Sequence, residues 1–407
     1  MTSANRTSFS VSLPLSLPAD PKSRRSCLCT LPTASLICIF FFIGSMFVAT
    51  DFNERFTKWR MVDNVLVTEP ITCENQCRPE GSAALPKGIV VRTSNLELRP
   101  LWGSPKKRNS NHSMSLLVIA VGIRQKENVD KMVKKFPSSD FVVMLCHYDG
   151  MVDKWSDLEW SPHAIHVSAI DQTKWWFAKR FLHPEIVAEY DYIFLWDEDL
   201  GVENFNPGRY LSIVKEEGLE ISQPALDVAK SEVHHQITAR GRRSNVHRRT
   251  YKFGGGKGGC DANSTDPPCT GWVEMMAPVF SRASWRCTWY MIQNDLIHGW
   301  GLDFQLGYCA QGDRTKNIGV VDAEYIIHQG LPTLGGSEEN TTTAEAPDHA
   351  SPIKLPNVAV KARSHSRVPD RYAVRKQSYI ELKKFKNRWK KAVQEDKCWI
   401  DPFPQPA

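Results

Sequence analysis

The sequence predicts an α/β domain, a mostly parallel β-sheet flanked by helices, preceded by a single transmembrane helix. Three observations predict it. Short apolar runs of strand length alternate with segments whose apolar residues recur at helical spacing. Hydrophobic residues make up 42% of the 407-residue chain and charged residues 24%, which suits a sizeable core and excludes global disorder. One uncharged, apolar stretch stands near the N-terminus, and no second span follows it. Gly (24) and Pro (25) are at ordinary levels, so a collagenous or low-complexity chain is excluded. A net charge of +6 is too mild to argue for nucleic-acid binding. The 13 Trp residues suit either a large core or a carbohydrate surface.

Residues 1–30 read as a cytosolic tail and 31–50 as a signal anchor. Thr33 to Thr50 makes roughly 27 Å of helix at ~1.5 Å per residue, the thickness of a bilayer core. Lys22, Arg24 and Arg25 precede it and Asp51 and Glu54 follow, which predicts a cytosolic N-terminus and a lumenal remainder. A cleaved signal peptide is the rival. Its small-x-small pattern fails, because Phe47 stands where a small residue is needed before Ala49. Glycosylation sequons at Asn111, Asn263 and Asn340 agree with a lumenal address. Eight of the 11 cysteines follow the span, and Cys73/Cys77 and Cys260/Cys269 are the first disulfide candidates. Neither pair is followed by ligands at zinc spacing. Cys146, inside an apolar run, reads as a free core thiol.

Residues 51–112 read as a stem, and 113–335 as the main domain. Leu116 to Val121 is a buried parallel strand ending at Gly122. Val129, Met132, Val133 and Phe136 then mark one face of a helix. Phe141 to Cys146 and Ala164 to Ile170 read as the second and third strands. Asp171 or Thr173 caps a helix from Lys174 to about Tyr190, which Pro184 kinks or splits. Tyr192 to Trp196 is the fourth strand; Trp272 to Phe280 and Ile318 to Val321 are further core segments. Residues 336–370 read as a loop or linker and 371–407 as a C-terminal amphipathic helix and tail, docked on the domain through Leu382, Phe385, Trp389, Ala392 and Val393.

The chemistry concentrates at Asp197-Glu198-Asp199, which the fourth strand discharges at its carboxyl end. Ligands of open α/β sheets sit there. Like charges so close are costly unless a cation neutralises them, and Mg²⁺ or Mn²⁺ would do so while bridging to a diphosphate. Asp197 and Asp199 share one side of an extended chain. Glycines around Trp300-Gly301 let an indole and backbone approach a ligand, and Asp303 is a candidate general base for a sugar hydroxyl. His328, at the end of a late strand, could complete a metal site.

Asp197-x-Asp199, Trp300-Gly301-x-Asp303 and His328 resemble the metal and acceptor motifs of GT-A glycosyltransferases, whose sheet is Rossmann-like. The stretches Leu195–Leu200, Gly299–Asp303 and Val321–Gly330 also resemble a plant family of unknown function labelled "lysine-ketoglutarate reductase trans-splicing related", over roughly residues 85–335. The splicing label contradicts a signal anchor and is not carried over. The GT-A resemblance implies Asp199 as the main metal ligand, Asp197 on the ribose or on the metal through water, and His328 as the third metal contact. It implies Asp303 as the base or an acceptor-hydroxyl ligand, with Trp300 and Gly301 beside the substrate. A nucleotide-sugar donor, a glycan or glycoconjugate acceptor and Mn²⁺ or Mg²⁺ follow from it. Glu198, in the middle of the acidic motif, is a further candidate substrate contact and leaves open which carboxylate binds.

Other signals carry less. Gly254-x-Gly256-x-x-Gly259 lacks the apolar strand a dinucleotide fingerprint needs, and Lys257 is not followed by Ser or Thr as in a P-loop. Residues 240–270 read as a basic loop, either a solvated surface or a lid over phosphates. His163, His166, His234 and His235 lack metal partners and read as structural. The expected function is that of a type II transferase of the Golgi or endoplasmic reticulum. The alternatives are a silent lumenal binding protein of the same fold and a membrane-tethered scaffold.

Overall fold

Strands β1 (Met114–Val121), β2 (Phe141–His147), β3 (Ile165–Ser168) and β4 (Tyr190–Trp196) form a parallel half-sheet in the order β3-β2-β1-β4. A computed structural model of the chain describes residues 78–94, 114–250, 260–261, 263–331 and 371–403. The chain divides into two compact units, residues 1–75 and 76–407, and every described residue belongs to the second. The expected anchor at 31–50 lies outside the described residues, and among those no helix is long and apolar enough to cross a membrane.

Beyond β4 the sheet continues through β8 (Val279–Ser281), β6 (Ile221–Leu226), β9 (Ile318–His328) and the short β5 (Leu200–Gly201), with β7 (Val246–His247) also on β9. Strand β8 is antiparallel to both neighbours, whereas β6 and β9 are parallel to each other. The helices are α1 (Lys126–Val133), α2 (Lys174–Phe181), α3 (Pro207–Glu216), α4 (Arg282–Met291), α5 (Arg314–Asn317) and α6 (Arg371–Glu395). The architecture is therefore mixed α/β with a largely parallel sheet flanked by helices.

Two cores form because successive strand side chains point to opposite faces. Leu116, Val118, Ile193 and Leu195 feed one core; Leu117, Ile119, Phe194 and Trp196 feed the other. Val129, Met132 and Val133 of α1 are buried in the second core, at the spacing read from the sequence.

Thr173 caps α2, its hydroxyl accepting the Trp176 N–H at 3.2 Å. The helix ends at Phe181, not near Tyr190. Pro184 has no N–H to donate and disfavours helical backbone at His183. Residues 78–94, read above within the stem, contribute Leu85 and Ile89 to the first core. Phe385, Trp389 and Ala392 of α6 are buried beside them, so the C-terminal helix is docked.

Disulfides join Cys260 to Cys269, an expected pair, and Cys287 to Cys309, a pair the sequence did not single out. Cys146 is free and buried. Cys73 and Cys77 lie outside the described residues, as do the linker at 336–370 and the sequons at Asn111 and Asn340. Asn263 is exposed.

Candidate functional site

Strand β1 pairs with β2 on one side and β4 on the other, so the chain's direction of winding reverses between β1 and β4. Crevices at the carboxyl ends of strands at such a switch point are where open α/β sheets bind ligands. The acidic triad stands there. Asp197 donates its N–H to Met276 O at 2.8 Å, and Asp199 O accepts from Gln329 N at 3.0 Å. Pairing of Leu200 with His328 brings the end of β9 to the triad.

The three carboxylates have three different environments. Glu198 turns inward and is 1% exposed. It accepts the Gly122 N–H at 2.7 Å and the Tyr148 hydroxyl, tying the ends of β1 and β2 to β4. A Cβ at Gly122 would stand 2.6 Å from the Tyr148 ring, so only glycine admits this clamp. Burial pushes Glu198 up to about 8, against the pull of its two donors. This position, expected to touch substrate, is spent on holding strand ends together.

Asp197 keeps 38% of its side chain exposed and forms a 2.7 Å ion pair with Lys174, the first residue of α2. The Lys174 ammonium also donates to Met275 O at 2.6 Å. Asp199 is 5% exposed, with its Oδ2 3.5 Å from His328 Nε2. Asp199 holds the His328 imidazole up at about 9, while burial opposes it. His328 Nδ1 is buried without a partner.

Glu274 was missed by sequence reasoning because its segment reads simply as core. Burial raises its carboxyl to about 7, with His328 opposing and Asp303 and Asp197 adding to the rise. Its Oε2 is buried and unpartnered. Glu274 therefore feels the charges of both the triad and Asp303. Asp303 opens a 3-10 helix over Asp303–Cys309, and its carboxylate accepts the Phe304 N–H at 3.0 Å. Burial lifts Asp303 to about 6, offset by neighbouring backbone N–H groups and Lys386.

Trp300 and Gly301 meet α6. Gly301 has φ +98, and a Cβ there would stand 2.9 Å from Leu382 Cδ1. Trp300 is 38% exposed and packs edge-to-face on Tyr379, centroids 5.0 Å apart. His298 is latched to the same helix, Nδ1 to Glu381 Oε1 at 2.9 Å. Helix α6 therefore backs the Trp300–Asp303 segment.

The carboxylate of Asp199 suits a hard divalent ion such as Mg²⁺ or Mn²⁺; His328 Nε2 faces it, and the imidazole, held protonated by Asp199, would have to release that proton to ligate the ion. Asp197 differs, because Lys174 already neutralises it. Among the described residues no group of three His, Cys, Asp or Glu side chains stands ready to hold an ion.

Part of the basic loop is fixed. Val246–His247 pairs with β9, and His247 Nδ1 lies 2.8 Å from Asp322 Oδ2 in a fully buried contact. Arg240 covers the Tyr325 ring at 3.5 Å, and the glycine run at 254–259 lies outside the described residues. His166 Nδ1 bonds His147 Nε2 at 2.8 Å, a packing contact within the sheet. His163 terminates a short 3-10 turn. His235 packs on Trp272 and His234 lies 3.7 Å from Glu232. A surface cleft of about 360 Å³ between Arg209 and Glu324 includes no triad residue.

No curated protein matches the chain. The sequence profile of one family matches residues 76–395, which takes in the triad, Glu274, Asp303, His328 and all of α6. The chain accordingly belongs to the family described as "Protein of unknown function (DUF707)".

Proposed function

We propose that this protein is a GT-A-like glycosyltransferase, held in a secretory-pathway membrane by residues 31–50, that moves a sugar from a nucleotide donor to a glycan or glycoconjugate. The observation that carries the reading is the placement of Asp197, Asp199 and His328 at the switch point between β1 and β4, with the buried Glu274 near enough to feel the charges of Asp197 and Asp303. The disulfides Cys260–Cys269 and Cys287–Cys309, together with the disulfide-bonded Cys398, suit an oxidising lumen.

Each residue has a chemical task. Asp197, whose carboxyl burial pushes up while the paired Lys174 ammonium opposes the rise, offers an acceptor oxygen to a donor hydroxyl. Asp199 and His328 would hold a divalent ion, which when bound neutralises the diphosphate. Asp303, held near 6, is largely ionised at neutral pH and can take the proton of an attacking hydroxyl. Glu198 keeps β1, β2 and β4 in register beneath these groups.

A second reading, a lumenal binding protein that keeps this site without turnover, draws on the ion pair that already occupies Asp197. Incubation with a panel of nucleotide sugars, measuring released nucleoside diphosphate, separates the two. The transferase reading expects release with one donor, abolished by Asp303→Asn. Binding of a donor without release in any combination with glycan acceptors would favour the second.

A further inference from the structure

Charge in this molecule is unevenly placed. Residues 371–403 hold ten Lys and Arg against four Asp and Glu, a surplus of six that equals the net charge of the whole chain. The remaining residues are therefore neutral in sum. The acids of this segment are largely consumed inside: Glu381 holds His298, Asp396 holds Arg78, and Asp401 accepts from the Tyr308 hydroxyl. Eight of the ten basic residues are exposed, and Arg388 is paired with Asp295 at 2.6 Å. Of the exposed ones, Lys391 alone faces an acid on the helix, Glu395 at 3.7 Å.

The exposed charges form a stripe. Lys376, Tyr379, Lys383, Lys386 and Lys390 follow at three- and four-residue spacing, which places them on one helix face. Fourteen steps along α6 span ~21 Å. Like charges at this spacing repel and cost helix stability, so docking of α6 by its opposite face gives no reason for them. The stripe passes beside the candidate site, where Lys386 Nζ lies 5.3 Å from the Phe304 ring and pulls on Asp303. Beside it stand Trp300, 38% exposed, and Tyr379, 57% exposed, in edge-to-face contact. Exposed rings of this kind stack on the C–H faces of sugar rings.

We infer that the outer face of α6, with Trp300 and Tyr379, binds an anionic polysaccharide, a polymer carrying uronate or sulfate groups. Its carboxylates or sulfates meet the lysine stripe, its rings stack on the aromatic pair, and its end is led toward Asp303. An anionic lipid surface is less suited, because the negative potential of a membrane belongs to the cytoplasmic leaflet and the expected topology is lumenal. The inference rests on the proposed function for the lumenal topology and in making the polymer an acceptor; the lysine stripe and the aromatic pair stand without it.

The test uses the full-length chain purified in nonionic detergent. Binding is measured to polygalacturonate, heparin, neutral dextran, single-stranded RNA and phosphatidylserine vesicles, at several salt concentrations. The variants are Lys376→Gln/Lys383→Gln/Lys386→Gln/Lys390→Gln together, and Trp300→Ala/Tyr379→Ala together, each checked for an unchanged melting temperature. The inference expects binding to polygalacturonate or heparin over dextran and RNA, weakened about tenfold or more by the quadruple variant, with a shallower salt dependence. It expects the aromatic pair variant to weaken binding with the salt slope unchanged. Undiminished binding by the quadruple variant would overturn it. Preference for vesicles would assign the face to lipid instead, and equal binding to RNA would reduce it to a general polyanion patch; either result defeats the inference. Nucleoside-diphosphate binding, read in the same preparations, reports on the donor site separately.

Discussion

Replacing Glu198 by Gln isolates the clamp beneath the site. The folded chain holds this carboxyl at about 8 against an ordinary value of 4.5. Between those values the folded state keeps a proton that the unfolded chain releases. Stability therefore falls as pH rises through this window and levels off above about 8. One proton contributes at most ~1.4 kcal/mol per pH unit. From pH 6 to 8 the ceiling is about 2 kcal/mol, or ~3 °C in melting temperature for a unit of this size. Gln reproduces the protonated acid: its carbonyl accepts the Gly122 N–H, and its amide can donate to the Tyr148 oxygen. The assay is thermal or urea unfolding of both proteins across pH 6–8 in EDTA. Glu274 and Asp303 titrate in both proteins, so the difference between the two curves belongs to Glu198. The wild type should lose stability relative to the variant as pH rises. Parallel curves would refute the assignment of Glu198 as a buried, proton-retaining clamp.

Other perturbations have defined outcomes. Gly301→Ala places a Cβ 2.9 Å from Leu382 at φ +98, and should cost about 1–3 kcal/mol, read as a lower melting temperature and earlier proteolysis at α6. Cys287→Ser removes a bridge between residues 22 apart and should cost about 3 kcal/mol in urea unfolding without reductant. If Asp303 takes the acceptor's proton, transfer should rise with pH through about 6, and Asp303→Asn should remove that limb of the profile.

Much of the parallel half-sheet was legible in the sequence. β1, β2 and β4 are apolar runs covered on both faces, and α1 has a clear 3.6-residue period. The acidic triad at the end of β4 followed from them. What was not legible depended on tertiary context. Strand β6 reads Ile-Ser-Gln-Pro-Ala-Leu, too polar for a core strand, yet all six residues are buried. Ser222 pairs with the Tyr210 hydroxyl at 2.8 Å, and Gln223 accepts the Glu274 N–H. Helix α3 begins at Asn206-Pro207, a cap followed by a first-turn proline, a local signal that could have found it. At the site, the sequence named the carboxylates but not their partners. Lys174 is 23 positions from Asp197, and Glu198 reaches Gly122 across 76. Only the fold makes one of three adjacent acids a strut and another an ion pair. Glycines around Trp300 suggested approach of a ligand; at Gly301 it is the side chains of α6 that approach.

The proposed activity needs a nucleotide site built on Asp199, and melting of the full-length protein against nucleoside diphosphates, with Mn²⁺ or with EDTA, reads that site without any acceptor. A ligand at ~100 times its dissociation constant adds ~2.7 kcal/mol, a shift of several degrees. A shift with one nucleotide class, dependent on the ion and lost in Asp199→Ala, is the expected result. A folded, metal-replete protein that shifts with none of them would contradict it.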